Sequence, residues 1–442
     1  SRRPESRRFA SAKARTGTST STGVTSGRLR ARGSAGAVGD RPGLTVGVVV
    51  TGVVGGRWRA EVTPRGTIRP LDGARGLRWF VAAEDRWHDP EADPTVRQEL
   101  LDGTPVTLTR LRVPGGDIVQ TIRSVPDGGG HTVVSFDNES RSAVAVVLDR
   151  RDLVCARMPS IGLPEGITID GEPAVFPLAH GSRLEVAIAH RPGSAPIDLT
   201  SLPDRDRVAA GWRAQIAALG RMELPPGREG HGLARSATYA RCALLLDGPA
   251  HLEDDPAKFL VGLGQIALLG EPVDPWLGEV ADAVAMLLRS GDGGAELEWS
   301  SAMGLASARS MLELAGEQRA LADLHRAVGA RVIGPPPTIE EVDGSPLVIA
   351  LVEDRLARRG DDSVELLPHG FPSAWLGHPL EVHDLSLGSA GSLSFAVRWH
   401  GDRPAVLWEH QGLRLTSGAD RAWSSTAESG EALWAAPVVD LG

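Results

Sequence analysis

The spacing of apolar residues changes twice along this chain, from a period of two to a period of about 3.6 and back again. A period of two places alternate side chains on opposite faces of a strand, whereas a period near 3.6 follows one face of a helix. Strand patterns occupy residues 44–195, helical patterns occupy 203–338, and strand patterns return over 363–442. The sequence therefore predicts a multidomain protein with α and β parts, joined by a connecting segment over 339–362.

The first β part contains a hairpin signal. Residues 107–113 and 117–123 both alternate, and Pro114, Gly115 and Gly116 lie between them. A short loop rich in Pro and Gly between alternating runs predicts a tight turn joining antiparallel strands. Several such two-faced strands at short spacing are typical of a β-sandwich.

The helical part contains clear start signals. Asp204, Asp255-Pro256 and Asp274-Pro275 each precede a helical pattern, since Asp caps a helix and Pro suits its first turn. Six helices are predicted between 203 and 338, and a further one over 345–358. Short loops between them predict antiparallel helical hairpins.

Residues 1–43 differ from the rest in charge. They contain ten Arg or Lys and two acidic residues, although the whole chain has a net charge of -9. With few bulky apolar residues, this basic arm is predicted to be disordered. It is either a leader or a basic arm for an acidic partner, and the acidic remainder argues against nucleic acid as the main partner.

Other classes of function are disfavoured by missing patterns. No run of about 18 apolar residues is present, so no membrane span is predicted. No export signal is recognised, and a cytoplasmic location is therefore expected. The His residues are scattered, no C-x-x-C or phosphate-loop motif occurs, and we expect neither a metal nor a cofactor.

Several segments resemble a known family. The stretches 375–383 (WLGHPLEVH) and 392–401 (SLSFAVRWHG) resemble the closing β-domain of actinobacterial proteins grouped with six-hairpin, glucoamylase-like glycosidases. The stretches 112–120 (RVPGGDIVQ) and 136–140 (FDNES) resemble the N-terminal super-sandwich of the same enzymes. The resemblance covers under half of the chain. It implies an N-terminal β-super-sandwich, a toroid-like α/α hairpin domain and a C-terminal β-sandwich.

The helical region departs from that family. The enzymes close twelve helices into a toroid around the active site, whereas residues 203–338 provide about half that number. The resemblance therefore implies an incomplete α/α hairpin domain. No catalytic residue of the family matches a position in this chain.

Two groups of residues are the candidates for chemistry. Glycoside hydrolysis needs two carboxyl groups, about 5–9.5 Å apart, and Glu253 and Glu298 in loops between helices are the candidate catalytic pair. Their alternative interpretation is plain surface acids. Trp79, Arg86, Trp87 and His88 are the candidate substrate-binding residues, because Trp offers a flat apolar face and Arg and His offer hydrogen bonds. The alternative interpretation of these four residues is that they pack within the fold and bind no ligand.

The expected function is a carbohydrate-associated protein on a glucoamylase-like frame, with an oligosaccharide as ligand and without efficient catalysis. Half a toroid would leave the pocket open on one side, whereas a glycosidase holds its carboxyl groups rigidly and away from bulk water. Two alternatives stay open. One is an active glycoside hydrolase or phosphorylase that uses the loop carboxylates. The other is a scaffold whose open helical face binds a protein partner or a second copy of the chain.

Overall fold

The computed structural model describes residues 47–160, 162, 165–191, 197–290, 296–329 and 331–437. The predicted disordered arm over 1–43 lies outside these ranges. The structure is a mixed α and β protein with several sheets. Along the described chain, no helix is both long and apolar enough to cross a bilayer.

Antiparallel sheets form the first β part. They run in the orders β1-β2-β3, β12-β10-β4-β5 and β11-β13-β9-β8-β7-β6. The strands are β1 (Val49–Gly52), β2 (Arg59–Val62), β3 (Ile68–Pro70), β4 (Trp79–Ala82), β5 (Trp87–His88), β6 (Arg97–Leu100), β7 (Thr107–Val113), β8 (Gly116–Val125), β9 (His131–Asn138), β10 (Val144–Leu148), β11 (Val154–Cys155), β12 (Ala174–Leu178) and β13 (Arg183–Ala189).

The predicted hairpin is confirmed as β7 and β8, which pair through Val113 and Gly116. Gly115 occupies the turn with φ of 79°, a left-handed conformation that glycine adopts at little cost. Leu111 of β7 is fully buried, while Arg112 points to solvent. The apolar faces of the three sheets enclose one core that includes Trp79 and Phe136.

The helical part follows the predicted period. Its helices are α1 (Arg205–Gln215), α2 (Leu233–Asp247), α3 (Pro256–Leu268), α4 (Leu277–Ser290), α5 (Trp299–Ala315), α6 (Gln318–Val328), α7 (Ile339–Val342) and α8 (Leu347–Leu356). The caps are confirmed at two starts, because the side chains of Asp204 and Asp255 accept backbone N–H groups of the first turn. Asp274 instead begins a short 3-10 turn that leads into α4.

Short strands also occur in the helical part, where the sequence predicted none. They are β14 (Arg221–Glu223), β15 (Glu296–Leu297) and β16 (Val332–Ile333). β15 and β16 pair with each other in parallel, and β14 pairs with a strand of the second β part. Two or three residues are too few to show a period, so the sequence carries no local signal for them.

The second β part contains β17 (Ala357–Arg359), β18 (Ser363–Leu366), β19 (Leu380–Ser386), β20 (Ser392–His400), β21 (Arg403–His410), β22 (Arg414–Ser417), β23 (Ser424–Ser425) and β24 (Ser429–Leu433). One sheet runs β14-β19-β20-β21-β24, and the other runs β17-β18-β22-β23. These sheets share their apolar core with α2 and α8. Helix α8 is buried along almost its whole length and contacts α2, α3, α5 and β17.

Arg59 joins the first β part to the helical part. Its Nε donates to the carbonyl oxygen of Leu246 at 3.0 Å, in the last turn of α2. Its Nη1 donates to the carbonyl oxygens of Val53, Gly56 and Trp58. One guanidinium therefore pairs with carbonyl groups of the segment between β1 and β2 and of the last turn of α2. A positive charge is favourable there, because the C-terminus of a helix carries a partial negative charge.

His190 lies beside this junction. Its ring stacks on Trp58 with centroids 4.1 Å apart, and its Nε2 lies 2.9 Å from the hydroxyl of Thr132. Burial, together with the nearby charges of His131 and Arg59, lowers the pKa of His190 to about 4. The ring is therefore neutral in the folded protein at pH 7.

This lowered pKa predicts acid sensitivity. The unfolded chain takes up a proton on His190 near pH 6.5, whereas the folded chain takes it up near pH 4. The stabilisation is therefore present above pH 6.5 and is lost as the pH falls towards 4, by roughly 1–3 kcal/mol. Urea unfolding between pH 4 and 7 should show a smaller decrease in the free energy of unfolding for His190→Gln than for wild type. The exposed His400→Gln is the matched control, and equal slopes in all three proteins would contradict the prediction.

Candidate functional site

A cavity of about 440 Å³ lies between α3, α5, α6, α8 and the start of the second β part. Its volume lies within the range of ligand sites, about 300–1,000 Å³. Small residues let α3 and α5 approach here, since a Cβ on Gly264 would come within 3.1 Å of Ser307. The cavity has an apolar lining from Leu268, Met303 and Leu305, and polar groups at both ends.

Glu353 of α8 is the first polar group of the lining. Arg241 of α2 donates to it through Nη2 at 2.8 Å, and Gln265 of α3 donates through Nε2 at 3.1 Å. The side chain of Arg241 is only 2% exposed. A buried guanidinium of this kind needs an anionic partner, and Glu353 provides it.

Gln265 has its amide orientation fixed by this contact. A carboxylate only accepts hydrogen bonds, so the amide nitrogen must face Glu353 and the amide oxygen must face away. The residue is 6% exposed, and its Oε1 has no hydrogen-bond partner among the described residues. Gln265 also lines the cavity. The wall of the cavity therefore contains a buried acceptor without a hydrogen-bond partner in the described chain.

Asp354 lies beside Glu353 and is held by several donors. Trp299 donates through Nε1 at 2.9 Å, and Arg358 donates through Nε at 2.7 Å. The Nε2 of His369 is 2.9 Å from the same carboxylate. Burial alone would raise the pKa of Asp354, but the hydrogen bonds from His369, Arg358 and Trp299 outweigh it and lower the pKa to about 2. Asp354 is therefore ionised at any physiological pH.

Glu313 holds two arginines of the cavity lining in place. It accepts from Arg309 at 3.0 Å and from Arg359 at 2.7 Å, and both arginines line the cavity. Burial opposes its ionisation, yet the hydrogen bonds from Arg359, Ser389 and Arg309 hold the pKa of Glu313 below its ordinary value. The Nε of Arg359 is buried without a partner in the described chain.

Arg331 lines the cavity just before β16. Its Nη1 is buried and has no hydrogen-bond partner within the described ranges. The cavity thus combines an unpaired acceptor on Gln265 with unpaired donors on Arg331 and Arg359. Such a set can bind a molecule that carries both hydroxyl groups and acceptor oxygens.

The candidate catalytic pair lies outside this cavity. Glu253 is exposed in the turn between α2 and α3, and Glu298 is exposed immediately before α5. The Oε1 of Glu298 accepts from the hydroxyl of Ser300 at 2.9 Å. The neighbouring Trp299 points inward to Asp354, so Glu298 points elsewhere. The catalytic role of Glu253 and Glu298 stays a prediction.

The candidate substrate-binding residues take part in packing. Trp79 is 1% exposed in the core of the first β part, and its Nε1 donates to the carbonyl oxygen of Arg65. His88 is 2% exposed between Asp85 and Asp93, at 3.1 Å from each.

The other two candidates lie nearer the surface. Arg86 pairs with Asp93 at 3.1 Å. Trp87 is half-buried, and its Nε1 donates to the carbonyl oxygen of Glu165 at 2.8 Å. These four residues lie on or between β4 and β5, far along the chain from the cavity. Their role in binding stays a prediction, with Trp87 the most accessible ring.

The residues of the cavity were not among those singled out from the sequence. Gln265 stands in an otherwise apolar helix, and Glu353 and Asp354 stand in another. A polar residue in an apolar helix is the available signal, because a buried polar group needs a partner. The partner itself comes from a distant part of the chain and leaves no local pattern.

No protein-family model matches this chain, and no curated protein is similar enough to count as a match. Among solved structures, a chain described as "Putative kojibiose phosphorylase from human microbiome" aligns with 85% of this chain and 89% of its own length. The sequence identity is 8% and the TM-score is 0.30. A likeness at this TM-score carries no argument about the function of this chain.

Arg241 should contribute strongly to stability. Arg241→Met leaves Glu353 with Gln265 as its remaining donor, and we expect a loss of roughly 2–3 kcal/mol in the free energy of unfolding. The control is Arg326→Met, because Arg326 forms an exposed ion pair with Asp323, and such pairs contribute about 0–1 kcal/mol. Chemical denaturation measures both variants. Equally small losses of unfolding free energy in both variants would show that the buried pair contributes no more to stability than the exposed one.

Proposed function

We propose that this chain is a carbohydrate-associated protein that binds a small hydroxylated ligand in the cavity between α3, α5, α6 and α8. The observation that carries the proposal is the unpaired Oε1 of Gln265, a buried acceptor fixed in orientation in the same cavity wall as unpaired arginine donors. A sugar hydroxyl both donates and accepts, so one ring can satisfy both kinds of group. Leaving such groups unpaired costs about 1–3 kcal/mol each, and a ligand that pairs them recovers this.

We propose further that the chain is not an efficient glycosidase. Hydrolysis of a glycosidic bond needs a carboxylic acid that keeps its proton near neutral pH, which requires a raised pKa. At this cavity the pKa of Asp354 and that of Glu313 are both lowered by their donors. Glu353 is engaged by Arg241. These carboxylates are suited to hold the walls of a binding site and unsuited to donate a proton.

The finer architecture is also a proposal. It consists of an N-terminal β-super-sandwich over 44–195, an incomplete α/α hairpin domain over 203–338, a connecting segment over 339–362 and a C-terminal β-domain over 363–442. The common core of the first three sheets supports the first of these. Contacts of α3 with α4 and α5, and of α5 with α6, support the helical hairpins.

Filling the cavity should abolish binding. Ala306 is an exposed residue of α5 that lines the cavity, and Ala306→Phe places a ring in the volume that the ligand needs. Ala281→Phe on the exposed face of α4 is the matched control. Calorimetric titration with mono- and disaccharides should show at least ten-fold weaker binding to Ala306→Phe only. Unchanged affinity in Ala306→Phe would place the ligand elsewhere.

The loop carboxylates should be dispensable. We expect purified protein to give no robust turnover of α- or β-linked oligosaccharides, with or without phosphate. Glu253→Gln and Glu298→Gln should keep the wild-type affinity for sugars, because both residues are exposed and outside the cavity. Turnover that disappears in either variant would instead support a glycoside hydrolase or phosphorylase. Retained folding with no sugar binding would favour the scaffold alternative.

A further inference from the structure

We infer that the ligand of this cavity carries one anionic group, which Arg331 binds, so that the ligand class is a sugar acid or a sugar phosphate. The inference rests on the proposed function, because it assigns a substrate class to the same cavity. It follows from the pairing of charges around the cavity and from the burial of one guanidinium nitrogen.

The carboxylates around the cavity are matched with other cations. Asp354 pairs with Arg358 at 2.7 Å, and Glu353 pairs with Arg241 at 2.8 Å. The remaining pairs form one group in which Glu313 binds Arg309 and Arg359, and Asp361 binds Arg309 at 2.9 Å. Each of these anions is therefore already neutralised by an arginine.

Arg331 is outside this pairing. Within the described ranges no carboxylate lies within ion-pair distance of its guanidinium, although the side chain lines the same cavity. Arginine stays protonated in proteins, so among the described residues the positive charge of Arg331 has no matching carboxylate. The side chain is half-buried with Nη1 fully shielded, and an anion on the ligand would supply the charge partner that the described residues do not provide.

The buried Nη1 is the part of the Arg331 guanidinium that lacks a hydrogen-bond partner. That nitrogen is shielded from solvent and has no hydrogen-bond partner in the described chain. A carboxylate or a phosphate oxygen is the strongest acceptor for a guanidinium N–H, and it forms shorter and stronger hydrogen bonds than a neutral hydroxyl. The Nε of Arg359 offers a further donor to the same ligand.

The remaining unpaired group excludes a bare anion as the whole ligand. The Oε1 of Gln265 accepts hydrogen bonds and would repel a carboxylate or phosphate oxygen. A donor such as a sugar hydroxyl group suits it. One small molecule that carries hydroxyl groups and a single anionic group satisfies Gln265 and Arg331 together, and the volume of about 440 Å³ accommodates it.

The test compares three ligands with the same ring: a neutral hexose, the corresponding uronate and the corresponding hexose 6-phosphate. Each is titrated in gluco, galacto and manno configurations, with inorganic phosphate as the probe for a bare anion. The proteins are wild type, Arg331→Gln, Arg331→Lys and the exposed control Arg326→Gln. Thermal unfolding checks that every variant is folded.

We expect wild type and Arg326→Gln to bind an anionic sugar at least ten-fold more tightly than the neutral hexose. Arg331→Gln should lose that preference, because the positive charge is gone. Arg331→Lys should recover part of the preference. A carboxylate is identified if the uronate alone gains affinity, and a phosphate if the 6-phosphate alone does.

Other outcomes overturn the inference in distinguishable ways. Equal binding of neutral and anionic hexoses, or a preference that survives in Arg331→Gln, refutes the role of Arg331 and leaves the proposed function intact. Binding of inorganic phosphate as tight as that of the sugar anions refutes the role of the hydroxyl groups. Absence of binding by all sugars refutes the proposed function and the inference together.

Discussion

The ion pair between Arg241 and Glu353 is the contact on which the rest of the helical part depends. Helix α8 is almost wholly buried, and Glu353 is a charged group within it that faces other helices. Arg241 of α2 neutralises that charge, and Gln265 of α3 completes its hydrogen bonding. One carboxylate therefore links α2, α3 and α8, and it also fixes the amide orientation of Gln265, with Oε1 turned away from Glu353.

The same pattern is repeated around the cavity wall. Asp354 accepts hydrogen bonds from Arg358 and Trp299, and Glu313 accepts from Arg309 and Arg359, so contacts within the protein fix these side chains. A site built in this way loses little side-chain entropy on binding. The donors that hold Asp354 and Glu313 also lower the pKa of both carboxyl groups, so both are ionised at neutral pH.

The parts of the fold that could be predicted are those with local signals. Asp255 caps α3 through the backbone two and three residues later, and Pro114-Gly115 joins two strands that are adjacent in sequence. The cavity could not be predicted, since Gln265 and Glu353 are brought together only by tertiary packing.

Trp79 was predicted to bind substrate, but the structure places it in the core. An alternating pattern separates two faces, but it does not tell which face is covered when sheets pack against each other, and Trp79 points into the core.

The pairing of β14 with β19 has a consequence for biosynthesis. The edge strand β14 of the five-stranded sheet lies before α2, whereas its partner β19 follows α8 and is synthesised much later. Contacts between such distant segments form late, after the cost of closing the intervening loop has been met. Until then α2 and α8 lack the sheet that covers their apolar faces. The nascent chain therefore exposes apolar surface during translation. The yield of folded protein in a cell should depend on chaperones that bind such surfaces.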